Sequence, residues 1–190
     1  MKILLIAGAL FLSASTAAIQ AADYIVDTKG AHASINFKVQ HLGYSWLTGR
    51  FDKFSGAFSY DPKNVSDSKI EMTIDTTSVN SNHGARDKHL KSADFLEVSK
   101  FGEAKFVSSS VSELAEGGIQ IKGMLTLHGV NKEIEIKATK IGEGKDPWGG
   151  YRVGFSGTTT ITMKDFDIKM NLGPASTEVQ LELHLEGVKQ

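Results

Sequence analysis

The chain contains no cysteine, only three prolines, and no apolar run long enough to cross a bilayer. Each absence removes a class of protein. Without cysteine there is no disulfide framework, no thiol nucleophile and no thiolate-ligated metal. The fold must rest on its core alone, which is feasible at 190 residues. Neither sign of charge is in surplus: 21 basic residues face 22 acidic ones, for a formal net charge of −1. A nucleic-acid backbone would need a basic excess, so no nucleic-acid partner is expected. Catalytic signatures are absent too. Gly154-Phe155-Ser156-Gly157 is one residue short of a nucleophile elbow. Gly142-x-Gly144 runs into Pro147 rather than into a phosphate-cradling helix.

What is present begins with an export signal. Lys2 precedes an apolar run from Ile3 to Leu12, and small residues follow from Ser13 to Ala18. Residues 1–21 read as a secretory signal peptide, with cleavage after Ala21 or, alternatively, Ala22. No cysteine stands there to carry a lipid anchor. Loss of Lys2 takes the net charge from −1 to −2. Residues 22–190 then form one soluble domain, without stable membrane insertion. A disulfide-free exported chain points to the bacterial periplasm.

Alternation dominates the rest. Ala33, Ile35, Phe37 and Val39 alternate with polar residues, as do Phe54, Gly56, Phe58 and Tyr60. The same period recurs at Ile70–Ile74, Phe106–Val111, Ile119–Leu127, Ile134–Ile136, Val153–Met163 and Val179–Leu185. This predicts about eight strands, each with one dry and one wet face. Such strands are expected to pair antiparallel, as a closed barrel or as a two-sheet sandwich. Small residues (Ala33, Gly56, Gly123, Gly157) recur on the dry face, where they could leave gaps beside large ones. Residues 83–96 break the pattern: Ala85, His89 and Ala93 fall at helical spacing, so a short helix is expected there, capped by Ser81 or Asn82.

The titratable residues form no recognisable centre. Six histidines are spread from His32 to His184 without a His-x-x-x-His pair. No metal site is expected. Arg86, Asp87 and His89 cluster, but such a group more often ties a helix to its surroundings than performs catalysis. No catalytic residue and no cofactor is assigned.

The densest stretch is His41–Gly56, which holds a tryptophan, a tyrosine, two phenylalanines and three glycines. It is also where a family resemblance is strongest. Tyr24-x-x-Asp27, His32-Ala33-Ser34-Ile35-x-Phe37, His41-Leu42-Gly43-x-Ser45 and Gly49-x-Phe51-x-x-Phe54-x-Gly56 resemble the start of the YceI family. Arg86-Asp87-x-His89-Leu90-x-Ser92-x-Asp94-Phe95, Gly123-x-Leu125-Thr126-x-x-Gly129-Val130-x-Lys132 and Asp146-Pro147-Trp148-Gly149-Gly150-x-Arg152-x-Gly154-Phe155 continue it. The resemblance covers nearly all of residues 22–190 and is closest to the proteobacterial periplasmic branch. Asn131 replaces a usual Thr, and Met163-Lys164-Asp165-Phe166 replaces a commoner Arg-Ser-Asp-Phe.

The resemblance implies an all-β fold: an eight-stranded antiparallel lipocalin-like β-barrel with the helical insertion at 83–96. It implies a polyisoprenoid ligand, such as an isoprenoid quinone or polyprenyl lipid, held in an apolar interior. Some relatives are homodimers. On alternation, the expected lining is Ile35, Phe37, Val39, Phe54, Phe58, Ile74, Leu125, Phe155, Ile161, Leu181 and Leu183. His41, Tyr44, Trp46 and Trp148 are the expected mouth. The rival is an enzyme acting on such a lipid, with His41, His89 or Asp87 near the mouth. A third reading is a barrel that is simply full.

Overall fold

The computed structural model describes residues 22–170 and 172–190; the expected signal peptide lies outside the described residues. The described residues form eleven strands of one sheet, eight of them at the alternating segments. They are β1 (Ala22–Val26), β2 (Ser34–His41), β3 (Ser45–Phe51), β4 (Phe54–Tyr60), β5 (Lys69–Asp75) and β6 (Val79–Asn80), then β7 (Glu103–Glu113), β8 (Ile119–Leu127), β9 (Val130–Lys145), β10 (Tyr151–Thr162) and β11 (Glu178–Lys189). A single α-helix among the described residues, α1 (Gly84–Leu90), lies between β6 and β7.

Several strands are pieces of one longer stave. β1 pairs with β4 and β11, while β2 pairs with β3 and β11. β4 pairs with β5, and β3 with β6. Joining β1 to β2, β3 to β4 and β5 to β6 leaves eight antiparallel staves, and Tyr24 beside Lys189 closes the ring. The structure is therefore a barrel, not a sandwich. Of the three strands that escape the alternation pattern (β1, β3 and β6), β3 does so for a physical reason. In β3 the inward positions are Leu47, Gly49 and Phe51, and the central glycine hides the period. Gly49 is small because the Phe37 ring, on the neighbouring strand, occupies the space a Cβ would take.

That arrangement recurs and overturns the expectation of gaps. Met72 lies over Gly56, Phe106 over Gly123 and Phe58 over Gly187, each close enough to overlap an added Cβ. At Gly157 the Ile136 methyl would stand 3.1 Å from one. The small residues are sockets for large neighbours, so the interior is more filled than composition suggests.

The helix is shorter than expected. The chain leaves α1 after Leu90, where the Ser92 hydroxyl donates to the His89 carbonyl and Leu96 N–H returns to Leu90. Side-chain bonds of this kind compete with the next helical turn. The N-cap is His83, whose ring nitrogen accepts the Arg86 N–H, rather than Ser81 or Asn82. Leu90, Phe95 and Leu96 pack on the core and cover one end of the barrel, together with Met163, Phe166 and Ile168 from the β10–β11 connection.

Pairing around the ring is uneven. β10 and β11 stay in register over eleven pairs, from Arg152↔Val188 to Thr162↔Glu178. β9 follows β8 down to Val130↔Leu127. Between β9 and β10, however, pairing ends at Thr158↔Lys137. Beyond it, residues 130–136 and 159–162 run without bonding to each other.

Candidate ligand cavity

The dry faces enclose a cavity of about 140 Å³. Its wall exposes 22 residues, almost all aliphatic or aromatic, with only Ser59, Tyr60, Ser68 and Thr159 contributing hydroxyls. No charged side chain lines it. Apolar space of this size stays dry and takes up small apolar groups.

Seven of the eleven expected lining residues stand on this wall: Ile35, Phe58, Ile74, Leu125, Phe155, Leu181 and Leu183. Phe37, Val39, Phe54 and Ile161 do not. Alternation assigns a residue to a face but says nothing of its height along the barrel. Phe37 is used against Phe51, with ring centroids 5.9 Å apart, and in the Gly49 socket. Ile161 lines an outer groove described below. Met72, Phe106, Ile136 and Leu185 belong to the wall and were missed, although they share the same alternation.

The expected mouth does not exist as one site. His41, Tyr44 and Trp46 belong to the β2–β3 hairpin, while Trp148 sits in the β9–β10 loop at the opposite end. Leu42 and Gly43, both at positive φ, form the tight hairpin turn, which leaves Tyr44 exposed. Trp46 pairs across from Gln40 and shares the outer face with Lys38, whose ammonium lies 5.3 Å from the indole centroid. Trp148 lies under the Arg152 guanidinium at 5.6 Å.

At the Trp148 end, aromatic rings fill the interior. Phe58 stacks on Tyr24 at 5.1 Å, and Phe155 meets Phe58 and Tyr60 edge-on at 5.8 and 5.1 Å. Burial pushes the Tyr24 phenol up from its ordinary pKa. Outside the rings, Arg152 donates to Asp27, Glu186 and Asp146 at 2.6, 2.6 and 2.7 Å. This guanidinium is the main reason the Asp27 carboxyl is held down to about 2, and it lowers Asp146 too. Asp27, His32 and Glu186 also approach one another closely enough to ligate a metal. Arg152 already supplies the positive charge there.

The residues of the enzyme reading have structural partners. Asp87 accepts from the Ser81 N–H and hydroxyl, which lowers its pKa, and Arg86 donates to Ser81 as well. His89 bonds Asp94 at 2.8 Å and packs edge-on against Phe95. Together these contacts tie α1 to its neighbours, as a charged cluster beside a helix usually does.

A closed antiparallel barrel with a dry interior is a lipocalin-like binding architecture. The particular family follows from comparison with known proteins. Residues 24–187 match the YceI-like domain, and the chain belongs to that family. A UPF0312 protein of Shewanella denitrificans is 60% identical over 173 residues, covering 91% of each chain. Among solved structures, BcnA of Burkholderia cenocepacia superposes with a TM-score of 0.73 at 24% identity, over 85% of this chain and 98% of its own. A polyisoprenoid-binding domain from Saccharophagus degradans, implicated in plant cell wall breakdown, superposes with a TM-score of 0.64 at 17% identity, over 88% and 98%. At these identities the two structures share the fold.

Proposed function

We propose that the protein is a periplasmic carrier or store for a polyisoprenoid chain, either an isoprenoid quinone or a polyprenyl lipid, and serves in lipid traffic or stress protection. The observation behind this reading is the cavity wall, which carries no charge and few hydroxyls. Membership of the YceI-like family and the ligand class of the S. degradans neighbour support it. The chemistry is that of burial rather than catalysis. Burial stabilises by about 0.8 kcal/mol per CH₂, so one five-carbon unit contributes up to about 4 kcal/mol before ordering costs. A single polar contact is worth about 1 kcal/mol. Tail recognition therefore outweighs head-group recognition.

A cavity of about 140 Å³ suits roughly one such unit. A longer chain requires wall side chains to yield. Phe155 and Leu181, both only half-buried, are placed to do so.

Native mass spectrometry and organic extraction of protein isolated from its own periplasm test the reading. A bound polyisoprenoid is expected, together with re-uptake of a prenyl quinone after delipidation. Protein that carries no isoprenoid and takes none up would overturn it.

A further inference from the structure

We propose that the parting of β9 and β10 is a lateral portal through which the isoprenoid enters, and that its rim seats an uncharged head group. The inference rests on the polyisoprenoid reading above. It starts from the pairing that ends at Thr158↔Lys137. Past that point each strand is held only on its outer side, β9 by β8 and β10 by β11. The neighbouring junctions β8–β9, β10–β11 and β11–β2 would each have to break strand-to-strand hydrogen bonds to open at this level. The β9–β10 junction has none to break.

The opening leads inward. A groove of about 720 Å³ lies over it, lined by β9, by β10 and by the edge of β11. Ile134, Thr159 and Leu181 face both this groove and the interior cavity, so the two spaces meet at those three side chains. The routes through the barrel ends are more obstructed. One end is covered by Phe95 and by Phe166, which is 1% exposed; the other holds the packed rings of Tyr24, Phe58, Tyr60 and Phe155.

The rim chemistry indicates the kind of head. Three lysines (Lys38, Lys132, Lys137) face four carboxylates (Glu133, Glu135, Asp165, Glu182), so the rim is net negative by one charge. Lys38 is paired to Glu182 at 2.9 Å and Lys132 to Asp165 at 2.9 Å. A diphosphate would meet this surplus of negative charge. Thr158, Thr160 and Thr162, with the unbonded backbone edge beside them, offer hydrogen bonds to a neutral carbonyl or hydroxyl instead.

Continuing the register two residues past Thr158↔Lys137 sets Thr160 opposite Glu135, both exposed. The chain has no native cysteine, so a Glu135→Cys, Thr160→Cys pair can be joined by a short bis-maleimide without side reaction. Glu133→Cys with Thr162→Cys is the second pair should the first not fold. Exchange is followed by stopped flow with a tetraprenyl quinone and with a long-chain fatty alcohol. Cross-linking is expected to slow uptake and release of the quinone at least tenfold relative to the same double variant left unlinked. Exchange within twofold of the unlinked protein would overturn the portal. If the alcohol is slowed but no prenyl compound binds, the portal stands and the isoprenoid reading fails. Binding of a prenyl diphosphate is expected to be at least tenfold weaker than that of the matching prenol; equal or tighter binding would overturn the head-group assignment.

Discussion

At its first residues β10 is gripped on every side; from Thr159 onward it is held on one. Arg152 reaches three carboxylates on three other segments, Val153 beside it is fully buried, and both β9 and β11 bond to this half of the strand. Twelve residues suffice for both situations, and the composition of the two halves explains the difference. The anchored half carries Val153, Phe155 and Gly157 on its inner face, opposite rings and an arginine clamp. The other half, from Thr159 to Thr162, is threonine at every position but Ile161, with Thr160 exposed. A barrel can thus be closed as a ring of strands and still be unequally sealed along its height.

Four changes test this contrast. Phe58→Ala strikes hardest, because it empties the Gly187 socket and removes stacking on Tyr24. A loss of about 3–5 kcal/mol in urea unfolding is expected. A loss below about 1 kcal/mol would mean that the ring-filled end is not the anchor. Gly187→Ala attacks the same socket from the other strand, forcing a methyl group into the Phe58 ring and the Tyr24 Cβ. Overpacking of this kind costs about 1–3 kcal/mol by the same measurement.

The third test uses acid. Asp27 is held down to about 2 from an ordinary 3.8, chiefly by hydrogen bonding from Arg152. A depressed folded-state pKa contributes stability in full above the unfolded value, and that contribution is lost as pH falls through the folded one. The parent should therefore lose this contribution between about pH 4 and pH 2. In Arg152→Ala the Asp27 and Asp146 shares of that loss should shrink, so its melting temperature should fall less steeply over the same interval. Equal slopes in the two proteins would remove Arg152 as the clamp. The smallest effect is expected at the parted half. Lys132→Ala breaks a pair whose members are both nearly half exposed, and should change stability by less than about 1 kcal/mol. A larger loss would show that the seam is structural.

The sequence made some of this legible and hid the rest for physical reasons. Alternation located β2, β4, β5 and β7–β11 because it reports which side of a strand is dry. It could not report that β1 meets β11, or that β9 leaves β10 at Lys137, since register between distant strands depends on the whole ring. Ile161 and Leu181 look alike in a pattern, yet only Leu181 reaches the interior cavity. Trp46 attracted attention as an aromatic, but its place opposite Gln40 turns it to the outer face. Gly123 suggested a vacancy, whereas Phe106 fills it.

The glycine sockets have a consequence for how such a barrel can change over generations. Its bore is set by couples, with Phe106 and Gly123, Phe58 and Gly187, and Met72 and Gly56 each dividing one volume between two strands. Shrinking the large member alone leaves a hole, and enlarging the glycine alone makes a collision. A lineage that widens or narrows its tunnel must therefore exchange both members together, or pass through a less stable ancestor.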